Sequence, residues 1–195
     1  MIKSKADYLF YLECDRVAIK EKRKRPPFFR SCTLWKYQRL LRKVEYYTNC
    51  KPKNPLVFYY RRKFGKMCEI YGMNIPLNVV GPGLSIAHIG PIQINARSKV
   101  GENCRIQTCV TLGATNGQSA APQLGNNVFL GDGCKIIGGV TIADDVQIGA
   151  NAVVVKSILE PGTTWGGVPA KKISNNSSSS NLIKATEIVR NSEKK

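Results

Sequence analysis

The sequence predicts a mainly β chain: a left-handed parallel β-helix of six-residue repeats, preceded by a short α-helical segment. Three observations lead there. Large aliphatic residues recur at steps of six between Ile86 and Val154. Small or apolar residues follow them four places later. Helix-period patterning and most of the positive charge are confined to residues 1–72.

Residues 1–72 read as three helices. The first carries Tyr8, Leu12, Asp15 and Arg16 and is broken at Pro26-Pro27. The second runs from Thr33 through Trp35, Leu40, Leu41 and Val44 to about Asn49, and the third from Leu56 to Tyr71 after Pro55.

From Ile75 to about Pro161 the period changes. The aliphatic positions are Ile86, Ile92, Val100, Ile106 and Leu112, then Leu124, Leu130, Ile136, Ile142, Ile148 and Val154. Glycine often comes next (101, 113, 125, 131, 149), and Cys104, Val110, Val128, Cys134, Val140, Val146 and Ala152 lie four residues on. No single repeat can bury its own apolar face, so repetition of this kind means stacking. Six residues make one flat face of a triangular coil, with corners that favour Gly, Asn or Asp at positive φ. Three faces close a coil, and the next coil pairs with it as parallel β-structure. The first aliphatic points inward, and the residue four later fills what interior remains.

Two interruptions mark this register. Two extra residues are expected between Ile92 and Val100, within Asn95–Lys99, and six more between Leu112 and Leu124, within Gly113–Gln123. Loops that interrupt a regular coil usually cover a site or a subunit contact, with neutral decoration as the alternative. The β-helix is expected over 73–173. The low-complexity stretch Asn175–Asn181 then makes 174–195 a flexible tail by composition, with Leu182–Arg190 either a short helix or disordered.

Composition narrows the function. The net charge of +17 belongs to one end: residues 1–72 hold 19 Lys/Arg against 6 Asp/Glu, whereas 73–173 hold 7 against 5. The run Lys20-Glu-Lys-Arg-Lys-Arg25 could meet an anionic membrane surface, an anionic substrate or RNA, and a solvated helical face explains it as well. No RNA-binding aromatic motif accompanies it, so no nucleic-acid partner is expected. There is neither a spanning apolar run nor a secretory h-region, and the chain reads as cytoplasmic. Seven cysteines without a CxxC pair read as reduced thiols, and no metal is expected.

The one histidine, His88, lies in Gly81-Pro-Gly-Leu-Ser-Ile-Ala-His-Ile-Gly90. Faces starting at Ile86, Ile106, Leu130 and Ile148 stack on one side of the prism, which aligns His88, Thr108, Asp132 and Ala150 in one row. At a strand spacing of about 4.8 Å that row is roughly 14 Å long, a groove suited to an extended ligand.

Residues 75–173 resemble the serine acetyltransferase branch of the hexapeptide acyltransferases, including O-acetyltransferases of surface-polysaccharide gene clusters. The resemblance rests on the motif at 81–88, Val110-Thr-Leu-Gly113, Leu130-Gly-Asp-Gly133, Lys135-Ile-Ile-Gly138, Ile148-Gly-Ala-Asn-Ala-Val-Val154 and Gly167-Val-Pro-Ala-Lys171. It implies acetyl-CoA as co-substrate, His88 as general base, and oxyanion stabilisation by backbone amides near Gly113. It further implies a pantetheine arm along Gly131, Asp132, Gly133, Gly149 and Ala150, coenzyme phosphates on Lys171 and Lys172, and a site between subunits of a homotrimer. The chain departs from the pattern on the acceptor side. Gly72–Pro76 lacks the family's Asp, Ser119–Pro122 lacks its second His, and no carboxylate falls between Glu69 and Glu102. His88 must then be oriented by a backbone carbonyl, by Asn74 or by a neighbouring subunit. Asn74 and Asn95 are the candidates for acceptor-side contacts.

These departures put a sugar hydroxyl of a surface-polysaccharide precursor ahead as acceptor, with L-serine as the alternative. A non-catalytic β-helix scaffold is the reading from another class. A γ-type carbonic anhydrase is excluded by the single histidine, and no dinucleotide-type domain precedes the repeats to suggest a nucleotidyltransferase.

Overall fold

The computed structural model describes residues 1–27, 33–115 and 120–192. Three helices open the chain: α1 Lys5–Ala18, α2 Thr33–Cys50 and α3 Leu56–Tyr71. Ser4 caps α1 by accepting the Asp7 amide at 3.0 Å, and Gly72 ends α3 at φ 64, a conformation that costs glycine nothing. Among the described residues, no helix is long and apolar enough to cross a membrane.

Short strands then wind around a prism. They are β1 Met73–Asn74, β2 Ser85–Ile86, β3 Ile92–Ile94, β4 Lys99–Val100, β5 Arg105–Ile106, β6 Val110–Gly113 and β7 Gln123–Leu124. After them come β8 Phe129–Leu130, β9 Lys135–Ile137, β10 Thr141–Ile142, β11 Gln147–Ile148, β12 Val153–Val154, β13 Thr164–Gly166 and β14 Lys171–Ser174. Each face is one sheet: β1-β3-β6-β9-β12, β2-β5-β8-β11-β13-β14, and β4-β7-β10. All pairs are parallel except β13 with β14. This is the left-handed β-helix that the six-residue period predicts. The aliphatic column and the smaller column four residues on are both buried, and both belong to one continuous core with Tyr37, Leu41 and Phe64 of the helices. Each fully buried Leu or Ile in such a column contributes about 1.5–3 kcal/mol.

One interruption sits elsewhere than expected. Ile94, not Ile92, pairs with Leu112, and Ile92 pairs with Val110 of the smaller column. From Ile94 to Val100 the step is regular, so the two extra residues fall between Ile86 and Ile94, at the corner that carries His88. The ambiguity is physical: both interior columns are isoleucine in this coil, so the pattern alone fits either register. The second interruption stands where it was expected, after β6, although residues 116–119 lie outside the described set.

The top of a β-helix is a sheet edge whose backbone groups need partners. Here α1 and α2 supply them. Arg42, fully buried, pairs with Asp15 at 2.8 Å and Glu45 at 3.1 Å, and donates to the carbonyls of Val80 and Gly81 at 2.8 and 2.6 Å. Asp15 accepts the amides of Gly83 and Leu84 at 2.9 and 2.8 Å, and Gln38 donates to the Leu84 carbonyl at 2.6 Å. The helices thus fix Gly81–Ile86, the segment leading into His88.

The C-terminal stretch is not a loose tail. It returns along the prism, forms α4 Ala185–Ser192 and packs on α1. Ser178 donates its hydroxyl to the Asn127 carbonyl, Thr186 bonds Asn103 through its amide at 3.0 Å, and Arg190 pairs with Glu102. Polarity suggested a linker, but those serines and asparagines find bonding partners along one corner of the coils.

Candidate active site

His88 follows β2 on the enlarged corner and is exposed. Pairing of β2 with β5, β5 with β8 and β8 with β11 stacks Ile86, Ile106, Leu130 and Ile148. The structure therefore stacks Thr108, Asp132 and Ala150 in one row, but the two inserted residues break the register above Thr108. Gly90, where a Cβ would meet the Thr108 side chain at 2.9 Å, lies over it, and His88 stands two places earlier on the same corner. Thr108 donates its hydroxyl to Asp132, which confirms contact between neighbouring coils. The corner residues just after the row, Cys109, Gly133 and Asn151, all take positive φ. Gly133 and Asn151 donate their amides upward to the carbonyls of Thr108 and Asp132 at 2.9 and 2.7 Å.

At the lower end, Ile148 pairs with Trp165, and Gly149 lies beside Gly166. Lys171 pairs with Gly166 from β14, so this lysine borders the foot of the row. Lys172 ion-pairs with Glu160 at 2.5 Å. Lys171 also lines a cleft of about 310 Å³ with Val155, Trp165 and Pro169.

Three predicted residues have structural duties that qualify their expected roles. Gly131 is buried, and a Cβ there would meet the Ala150 amide nitrogen at 2.7 Å. Its smallness is demanded by the coil below. Gly113 ends β6 opposite Ile137, and its carbonyl accepts from the Gly138 amide at 2.8 Å, which ties this end of the strand to the next coil. Asn95 accepts the Arg97 amide at 2.9 Å and closes the turn after β3. That strand, roughly 10 Å long, separates it from the His88 corner, and the structure does not bring the two together. Asn74 is exposed on β1 in register with Gln93. None of the hydrogen bonds among the described residues joins it to His88.

The sequence missed a cleft of about 420 Å³ beside the histidine. It is lined by Ala87 and Ile89, which flank His88, and by Glu21, Trp35, Ser85 and Arg105. Arg105 donates to the Ser85 hydroxyl at 3.2 Å. The signal for Ser85 and Arg105 was available, since both precede an inward aliphatic on the same face. Nothing in the periodicity could show that the end of α1 and the start of α2 close over that face. Burial pushes the Cys14 and Cys134 thiols up to about 12, whereas Cys109, on the corner after Thr108, is exposed.

The fold is a hexapeptide prism with one exposed imidazole on its enlarged corner, above small and polar corner residues. Residues 121–156 match the family described as Bacterial transferase hexapeptide (six repeats). The particular likeness is to serine acetyltransferases. The enzyme of Helicobacter pylori strain J99 is 42% identical over 96 residues, covering 48% of this chain and 56% of that protein. That of Mycobacterium tuberculosis is 37% identical over 100 residues, covering 50% and 43%. The chain thus spans about half the length of the curated relatives it matches. Among solved structures, serine acetyltransferase from Brucella abortus superposes with a TM-score of 0.71 at 21% identity, over 89% of this chain and 72% of that one. The Neisseria gonorrhoeae enzyme in complex with serine gives 0.68 at 24%, over 88% and 71%. These likenesses back the serine acetyltransferase alternative better than the sugar-acetylating reading that the sequence put first.

Proposed function

We propose that the chain is an acetyl-CoA-dependent O-acetyltransferase, that His88 is its general base, and that L-serine is its acceptor. The observation that carries the reading is the exposed His88 on the corner above Thr108, Asp132 and Ala150, with Lys171 at the foot of that corner. A thioester bound along that corner would present its carbonyl at the histidine. The imidazole takes the acceptor's hydroxyl proton as that oxygen attacks the carbonyl carbon, and the coenzyme leaves as thiolate. Imidazole is the side chain suited to moving a proton near neutral pH. Gly149 and Ala150 leave room for the pantetheine arm, and Lys171 offers a charge to the phosphates. A homotrimer that completes the row with a second copy belongs to the same reading.

A sugar hydroxyl is the second reading, and one observation favours it. Serine's ammonium group needs an anion, and Glu21, the one carboxylate lining the cleft among the described residues, is held by Arg23 at 2.8 and 3.0 Å. The experiment measures thiol release from acetyl-CoA with L-serine and with a panel of sugars, using the parent chain and His88→Ala. Serine-dependent release that falls about 10²–10⁴-fold in the variant is expected. Release with sugars alone transfers the conclusion to the second reading. A variant as active as its parent ends the role of His88.

A further inference from the structure

The helical segment carries a second cleft, of about 310 Å³, between α1, α2 and α3 and apart from the His88 corner. Four cations line it: Lys36, Arg39 and Lys43 from α2, spaced along one face, and Lys63 from α3. Tyr8 and Tyr60 supply its walls, with Lys43 Nζ lying 4.3 Å from the Tyr60 ring centroid. Among the described residues no carboxylate lines it, and residues 28–32 contain none in sequence. Burial lowers the pKa of Arg39, with Tyr8 opposing that shift and nearby Arg25 adding to it. A concentration of like charge around a partly buried guanidinium is costly unless an anion joins it.

The outer face of α3 continues the same surface. With 3.6 residues per turn, Phe58, Tyr59, Arg62, Lys66, Glu69 and Ile70 share one outward arc, and Lys63 stands between that arc and the cleft, so three cations stand against the one carboxylate, Glu69. Phe58 is 77% exposed, Ile70 72% and Tyr59 56%. Large apolar side chains interleaved with cations are the pattern of a helix lying in a lipid headgroup layer.

We propose that this segment docks on an anionic phospholipid surface, the cleft receiving a headgroup phosphate while Phe58, Tyr59 and Ile70 enter the boundary with the acyl chains. Charge complementarity selects that occupant. A second copy meeting this face across a two-fold axis would set Arg62, Lys63 and Lys66 against their equivalents. The exposed isoleucine and phenylalanine have no use for a soluble phosphate. The site is independent of the acetyl-transfer reading and needs no residue of the His88 corner.

The test is co-sedimentation of the full chain with phosphatidylcholine vesicles, with and without phosphatidylglycerol. Binding only to the anionic vesicles, weakening with salt, is expected. The double variants R39Q/K43Q and F58S/Y59S should each bind at least about tenfold more weakly. K66E, on the exposed arc and remote from the core, should do so without touching the fold, as circular dichroism would show. Equal binding to both vesicle types, binding to neither, or binding that no variant alters overturns the proposal. So does thermal stabilisation by inorganic pyrophosphate without vesicle binding, which would assign the cleft to a soluble anion. A change of oligomeric state in the variants at unchanged vesicle affinity would assign the face to a second copy and overturn it equally.

Discussion

Two corners of the same prism use similar turn chemistry to opposite ends. At one, Asn103 donates to Asn127 at 2.9 Å and Asn127 to Asp145 at 3.2 Å, a ladder with one polar rung per coil. The returning C-terminal stretch covers it: Thr186 and Ser178 bond Asn103 and Asn127, and Lys184 pairs with Asp145 at 2.9 Å. In the first coil, where Gly83 stands at the ladder position, Asp15 and Arg42 take over from α1 and α2. At the other corner His88, Asp132 and Ala150 are exposed, and the Thr108 hydroxyl bonds the Asp132 carboxylate between neighbouring coils. Polar residues at a satisfied, covered corner hold the coils together. Polar residues at an open corner have bonding capacity left for a ligand.

The largest effect expected from this contrast lies at the top of the covered corner. Arg42→Met leaves Asp15 and Glu45 buried without their cation, which should cost about 3–5 kcal/mol. Urea denaturation of parent and variant measures it. A loss under about 1 kcal/mol would mean that the helices merely rest on the prism. Next is Asn127→Ala, which removes the middle rung and puts a Cβ-bearing residue without a compensating amide at φ 57. About 2–4 kcal/mol is expected. Asn127→Gly relieves the backbone part and should recover about 1 kcal/mol of it. Equal losses for the two variants would show that the ladder bonds account for the whole effect.

The same contrast explains what the sequence could and could not reveal. The prism was legible because burial in stacked coils imposes one aliphatic every six residues, and helix-period spacing placed α1, α2 and α3 closely. The row of Thr108, Asp132 and Ala150 was legible because stacking turns equal offsets into neighbours, whereas the place of His88 above them was not. The double isoleucine at Ile92 and Ile94 hid the enlarged corner, since either could fill the main column. Ser178 looked like linker, and Thr186 fell in a stretch read as a short helix or disordered, because their partners, Asn127 and Asn103, lie 51 and 83 residues away. Asn95 looked like a ligand contact for a related reason: a turn-closing asparagine and a substrate-binding one are the same letter. The cleft beside His88 depends on where two helix ends come to rest, which is a tertiary fact with no periodic trace.

The smallest stability effect tests the open corner, and it is the sharpest test of the contrast. Asp132→Ala removes a carboxylate that is exposed and bonded to Thr108, and its backbone keeps the bond from the Asn151 amide. Stability should change by no more than about 0.5 kcal/mol, as for other exposed side chains without buried partners. Yet if the row holds the pantetheine arm, removing the side chain beside it should move the KM for acetyl-CoA more than kcat, because the loss falls on binding that ground and transition states share. Denaturation and steady-state kinetics on the same preparation give both readings. A stability loss as large as that of Asn127→Ala would make the Thr108–Asp132 contact a second structural ladder, and the two corners would then differ in covering alone. A silent variant in both measurements would remove Asp132 from the groove and leave Gly149, Ala150 and Lys171 to define its lower half.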